Sequence, residues 1–233
     1  DLVGNIKFST GGFPAQYADK MSSVLDITYR EPEALEGSAS VSVMGASISF
    51  GHNSGKFSQI HGLRFKKNNS LLSSLETKGE YDPMYFDYQT NLVFNPNSKW
   101  NVSFLGNISL NHYKFKPANR ETSFGTSTDT KQFTVYFDGE ERDKFETYLG
   151  ALSVKYKHSK STDFTLGVSG FMTNELVGYD ISGEYWLDQA GTSGEGGVGG
   201  ELGVGKYMEH ARNRLKASVI QLALKGNTVI KNN

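Results

Sequence analysis

Between Trp100 and Asn111 apolar and polar side chains alternate with one exception. Trp100, Val102, Phe104, Gly106, Ile108 and Leu110 occupy one parity. Asn101, Ser103, Asn107, Ser109 and Asn111, with Leu105 as the exception, occupy the other. A period of two means a β-strand whose faces meet different environments, because successive side chains point to opposite sides of the sheet. A helix would scatter both sets around its circumference.

Phe164 to Met172 and Tyr148 to Tyr156 repeat the pattern, with Phe164, Leu166, Val168, Leu152 and Val154 on the apolar side. Ser38 to Phe50, Phe57 to Lys66, Tyr88 to Phe94 and Arg214 to Leu224 are further candidate strands. The apolar phase switches after Val43 and after Val219, and a β-bulge in each strand would produce such a switch. The predicted strands are mostly long enough to cross a bilayer at a tilt, which takes ~9–11 residues. Strands in soluble sheets are usually shorter, about 5–6 residues. Trp100, Tyr113, Phe115, Tyr148 and Tyr156 near strand ends suit interfacial aromatic girdles, although aromatics are common in all strands.

Connections fall into two classes. Asn95 to Lys99, His158 to Thr162 and Lys225 to Asn227 are expected as tight turns; 114–144 and 174–212 are expected as long polar loops, with Phe133 to Phe137 inside the first. From Asn95 onward short and long connections alternate, as between the two sides of an outer-membrane barrel. One count does not close. The region before Asn95 supplies three strands where an even number is needed, unless Leu71 to Pro83 hides another element.

Charge is balanced, with 24 basic and 25 acidic residues, so no broad electrostatic footprint for nucleic acid exists. Cysteine is absent, which removes disulfides and thiol chemistry. No run approaches the ~18 apolar residues of a membrane helix. Negative mean hydropathy does not argue against a membrane barrel, whose strands alternate polar and apolar.

The segment Gly11 to Ile27 reads GGFPAQYADKMSSVLDI. Gly11, Gly12, Pro14, Ala15, Tyr17, Ser22, Ser23, Val24, Asp26 and Ile27 match the end of the plug domain in TonB-dependent outer-membrane receptors of the Bacteroidetes type, which this stretch resembles. Ala18 stands where that family usually has Gly. Weaker resemblance continues through 79–90 and 132–152. The resemblance implies an all-β chain: the end of a plug over 1–31, then over 37–233 the first strands of a 22-stranded transmembrane antiparallel barrel. It implies a segment of a longer protein, because seven or so strands cannot close a barrel around a plug and an open edge is not tolerated in lipid. It also implies an outer-membrane location and import of a scarce solute: an iron chelate, a cobalamin or a glycan. The implied partners are the TonB energy-transducing complex, the outer-membrane lipid and a surface lipoprotein, with no nucleic acid.

Motifs for covalent chemistry are weak. Gly200 to Tyr207 mimics a P-loop, but Tyr207 replaces the Ser or Thr that holds Mg²⁺, and a Gly-rich loop is the better reading. His52, His61, His112, His158 and His210 lack metal-ligand spacing. Glu140, Glu141, Arg142 and Asp143 read as a solvated charge cluster. No Gly-x-Ser-x-Gly elbow exists. The expectation is a chain that is not an enzyme and carries no metal or cofactor. Tyr179, Tyr185 and Trp186 are candidate ligand contacts by ring stacking, or else they pack their own loop. A soluble all-β binding module for carbohydrate or cell-surface attachment is the alternative. It requires apolar faces that meet in a closed core, whereas a barrel requires them to point outward.

Overall fold

The computed structural model describes residues 2–13, 17, 21–67, 79–126, 129–189 and 201–230. It is all-β and antiparallel, with no α-helix among those residues. Two strands, β1 (Val3–Ser9) and β2 (Val24–Tyr29), form a small sheet. The remaining strands are β3 (Glu36–Ser42), β4 (Gly45–Asn53), β5 (Phe57–Lys67), β6 (Gly79–Tyr81), β7 (Met84–Asn97), β8 (Trp100–Pro117), β9 (Arg120–Thr126), β10 (Asp129–Lys157), β11 (Thr162–Gln189) and β12 (Glu201–Thr228). They build one large sheet in the order β12-β11-β10-β8-β7-β5-β4-β3, with β6 on β8 and β9 on β10. The sheet is open, with β12 and β3 at its edges.

Several sequence expectations change. Ser38 to Phe50 is not one bulged strand but the hairpin β3–β4, closed by the pair Ser42–Gly45 around Val43 and Met44. The phase switch is the turn itself: Val41 faces Ala46 and Ala39 faces Ile48, so all four share a face. In the main strand order β3, β4, β5 and β7 thus precede the Ser98-Lys99 turn, four strands in place of three, while the three-residue β6 lies off that order on β8. No bulge interrupts Arg214 to Leu224, whose register runs unbroken against Leu176 to Leu166. β7 spans 14 residues, not the short run of Tyr88 to Phe94. Lys225 to Asn227 lies inside β12, not in a turn. Leu71 to Pro83 contributes β6, while 68–78 lie outside the described residues.

The largest difference concerns 114–144 and 174–212. Their described parts are mainly strand, not loop. β10, β11 and β12 run for 29, 28 and 28 residues, about 90 Å each at ~3.3 Å per residue. Phe133 to Phe137 sits within β10 between β9 and β11. Backbone pairing needs no apolar alternation, and both faces here are polar or mixed, so the period-two signal disappears while the ladder persists. Gly139 serves this extension: φ is +95°, and a Cβ would stand 1.9 Å from the Asp180 carbonyl oxygen. Replacing Gly139 with Ala is expected to cost ~1–3 kcal/mol of local strain. Hydrogen exchange should quicken around 137–141 and 179–183 and stay unchanged in the lower ladder.

Registers place the apolar sets on one face. Phe94, Val102, Val154, Leu166 and Leu224 form one row, and Leu92, Phe104, Leu152, Val168 and Leu222 the next. Gly106, Gly150 and Gly170 align in a third row, and Phe104 lies across the first two of these glycines. This apolar face is open. Leu152, Phe164, Leu166 and Val168 are 44%, 47%, 44% and 40% exposed, and no described element covers them. The buried hydrophobes of the large sheet, Ile60 and Val93, belong to the opposite, polar face.

Candidate functional site

The polar face carries short uncharged side chains. Ser38 pairs with Ser49 and Ser40 with Ser47 across β3–β4, each at 2.7 Å. Toward the sheet centre Arg64 donates from Nε and Nη2 to Asp87 Oδ2 at 2.9 and 2.6 Å, and Ser109 Oγ donates to Asp87 Oδ1 at 2.7 Å. Gln89, Asn91 and Asn107 lie on the same face in the adjacent rows.

The small sheet meets this polar face at one end, through Leu2 just before β1 and Pro32 just after β2. A Cβ on Gly62 would stand 2.7 Å from the Leu2 side chain, so glycine is what lets β1 approach. Pro32 is fully buried, packs near Gly51, and accepts a hydrogen bond through its carbonyl from Asn53 Nδ2 at 2.9 Å. Arg30 pairs with Glu36. A cleft of about 620 Å³ remains between Leu2–Val3 and Ser38, Ser47, Arg64 and Asp87.

The plug-like segment is partly gathered by this arrangement. The Tyr17 hydroxyl donates to the Asp26 carboxylate, so two of its residues nine apart are linked. Val24 is buried at the start of β2, and Ile27 and Asp26 pair with Ile6 and Lys7 of β1. Gly12 has φ of +62°, a left-handed conformation that glycine adopts at little cost. Gly11, Ser22 and Ser23 are exposed beside β1 and β2, and Pro14 and Ala15 lie outside the described residues.

Higher on the same face, Tyr81 stacks near Phe115 and Tyr113, with ring centroids 4.7 and 6.3 Å away. Burial and then the negative charge of Glu141 push the Tyr113 hydroxyl up to about 12. Burial, reinforced by Asp143, raises the Glu141 carboxyl. Strand alternation therefore splits the predicted charge cluster: Glu141 and Asp143 face inward with Tyr113, and Glu140 and Arg142 pair on the opposite face.

Above these groups lies an aromatic patch. Phe133 meets Tyr185 at 6.0 Å and Phe137 meets Tyr207 edge-on at 6.4 Å. The Arg120 guanidinium stands 5.9 Å over Phe137. Tyr185 crosses Gly205 and Tyr207 crosses Gly183, so each glycine makes room for the ring on the neighbouring strand. Of the sequence candidates, Tyr179 and Tyr185 share this face and Trp186 points to the other. The structure thus does not bring the three together. Sequence reasoning missed Phe133, Phe137 and Tyr207, which only the β9–β12 registers bring near Tyr185; the parity of Phe133, Val135 and Phe137 was the available signal.

Of the P-loop mimic, Gly200 lies outside the described residues and 201–207 begin β12. Among the histidines, His61 Nδ1 lies 3.0 Å from the Tyr88 hydroxyl, and His210 pairs with Asp180. Hydrogen bonds from His210 and Arg212 hold the Asp180 carboxyl below its usual range. No cluster of three or more potential metal ligands occurs among the described residues, and no described helix is long and apolar enough to cross a membrane.

No protein-family model matches the chain, and neither the curated proteins nor the solved structures contain a match.

Proposed function

We propose that this chain is the plug end, 1–31, and the first barrel strands, 37–233, of a TonB-dependent transporter of the outer membrane. It imports a scarce solute, such as an iron chelate, a cobalamin or a glycan, with energy delivered by the TonB complex. One observation carries the reading: the large sheet is inside-out. Its apolar face is uncovered, and its polar face is touched by Leu2 and Pro32, which flank the small sheet whose β2 begins with the end of the plug-like segment, Val24 to Ile27. A soluble binding module would turn its apolar faces toward each other, since burying apolar surface is what holds such folds together.

The dimensions support the same reading. Along β8 the apolar parity runs from Trp100 to Leu110, ~34 Å of strand at ~3.4 Å per residue. A tilt of ~45° reduces this to ~24 Å, close to the ~25 Å apolar band of outer-membrane barrels. Phe57, Phe94, Trp100, Tyr156 and Phe164 gather at its lower edge, where short turns join the strands. On this reading β10–β12 project roughly 35 Å beyond the bilayer, and the patch around Tyr185 and Tyr207 lines the inner wall above the plug. The ligand passes that wall and the Ser- and Asn-rich face beneath it. No covalent step is required.

The two tryptophans provide a test. In the complete gene product, reconstituted with lipids brominated on the acyl chain, Trp100 fluorescence is expected to be strongly quenched and Trp186 fluorescence unaffected. Each signal is read as the difference between the wild type and its own variant, W100F or W186F, so that fluorescence from tryptophans elsewhere in the gene product cancels. Equal quenching, or none, would sink the membrane reading. For the transport step, deletion of the gene should abolish TonB-dependent uptake of one solute from a panel of iron chelates, cobalamins and glycans.

A further inference from the structure

A polar notch interrupts the apolar face, on strands that are each paired on both sides. On β5 the outward positions between Phe57 and Phe65 are Gln59, His61 and Leu63. His52 of β4 stands opposite Gln59, and Thr90 of β7 opposite His61. Phe50 and Tyr88 stack on either side of His61, with ring centroids 6.3 Å away. His61 is engaged at both ring nitrogens. Gln59 Oε1, 3.2 Å from Nε2, can only accept, so Nε2 donates and Nδ1 accepts from the Tyr88 hydroxyl at 3.0 Å. The surrounding groups are not satisfied. Gln59 Nε2 and His52 Nδ1 make no hydrogen bond among the described residues. Thr90 is 8% exposed, and its Oγ1 has no partner. The row of Thr90 continues through Gly106, Gly150 and Gly170. From His61 to Gly170 five neighbouring strands thus carry no large apolar side chain, over about 19 Å. Tyr88, Ile108, Tyr148 and Met172 wall the row on one side, leaving a groove of about 510 Å³. The Thr90 methyl stands 3.0 Å from where a Cβ on Gly106 would be. One step of χ1 therefore turns the hydroxyl over Gly106 and into the groove.

We propose that the notch and groove form the contact between two copies of the protein within the membrane, related by a two-fold axis along the membrane normal near Thr90. The inference rests on the membrane placement above and goes beyond it. Hydrocarbon offers no hydrogen bond, so unmet donors and acceptors in a lipid-facing band are stabilised by protein and not by acyl chains. The unmet groups are also complementary to themselves. Gln59 Nε2 brings two donors, and His52 Nδ1 and Thr90 Oγ1 can accept. An isologous contact, in which each copy donates to the other, satisfies both sets at once. The glycine floor lets a second wall approach closely, which is how membrane segments associate where apolar surface gains nothing by leaving lipid. The available area suffices. About 20 Å of wall over the ~25 Å height of the band gives roughly 500 Å² per copy and about 1,000 Å² in all, the lower bound for a specific interface.

The test uses the complete gene product in phosphatidylcholine vesicles, with the dimer fraction read by native mass spectrometry across a dilution series. Single cysteines in a cysteine-free background locate the contact. T90C should join two copies by a disulfide, and L166C, on the same face but two rows lower and three strands away, should not. In Gly150→Leu the new Cβ meets only Phe104, at 3.8 Å, so the side chain fills the groove without disturbing the sheet. Gly150→Leu and Q59L should each weaken dimerisation about tenfold or more. Folding and the quenching of Trp100 by brominated lipid should stay unchanged in both. A monomeric wild type, a dimer indifferent to both variants, or T90C capturing a different protein in place of a second copy would overturn the proposal. A monomer with Trp100 still quenched defeats the dimer alone, whereas loss of quenching in the wild type defeats the membrane reading as well.

Discussion

On the proposed membrane placement, replacing Leu152 with Arg is expected to destabilise the folded protein by about 2–4 kcal/mol, the cost of an Arg at the midplane of a barrel's lipid face. Leu152 sits mid-band, between Phe104 and Val168 in register. It is 44% exposed, so in an aqueous setting the same change would fall within about 0.5 kcal/mol of neutral. The size of the loss therefore separates lipid from water. The neighbouring Ser153, opposite Ser103 and Gly167 on the polar face, should accept Arg at a cost under ~1 kcal/mol. Urea titration of folding into phosphatidylcholine vesicles, read by gel mobility of unheated samples, measures both. Arg at Tyr156, at the lower edge, should cost only ~0–1 kcal/mol because the penalty fades toward the interface. A flat series across Tyr156, Leu152 and Ser153 would contradict the membrane placement.

The second large effect belongs to the other face. Ile60 is 1% exposed, and it is paired with Gly51, against which Pro32 packs. Truncation to Ala removes buried methyl groups and leaves a cavity, expected to cost about 2–5 kcal/mol. The loss should appear as a lower urea midpoint with an unchanged slope. It should also loosen the small sheet, because Pro32 and Asn53 join that sheet to the β4–β5 corner. Faster proteolysis between Arg30 and Glu36 in Ile60→Ala would report this. Together the two variants map an inverted architecture, in which the packed hydrophobes lie on the polar side.

The lower ladder was legible from the sequence because its two faces meet different environments. Trp100 to Asn111, Tyr148 to Tyr156 and Phe164 to Met172 announced themselves by parity, and each is strand in the structure. The upper halves of β10–β12 were not legible. In stretches such as Asp138 to Lys144 charged residues occupy both faces, which resembles a solvated loop in one dimension. The hairpin at Val43-Met44 is hidden in the sequence for a related reason. A two-residue turn and a bulge both shift parity, and only the pair Ser42–Gly45 distinguishes them.

The candidate site divides in the same way. The plug-like segment was visible as a string of residues, and the structure links two of them, Tyr17 and Asp26. Tyr185 stands out in the sequence as an aromatic on a polar stretch, but its companions Phe133, Phe137 and Tyr207 come from distant positions. Nothing local in the sequence says that residues 52 apart meet.

By itself, then, the sequence determined an all-β chain with two unlike faces, since parity is a local property of the strand and needs no partner. Tertiary structure decided the rest. Register chose which apolar sets align into one band and which face meets the residues flanking the N-terminal sheet. A shift of one residue would have exchanged the two faces of any strand. That choice depends on hydrogen bonds between strands, so it emerges only when the sheet is assembled.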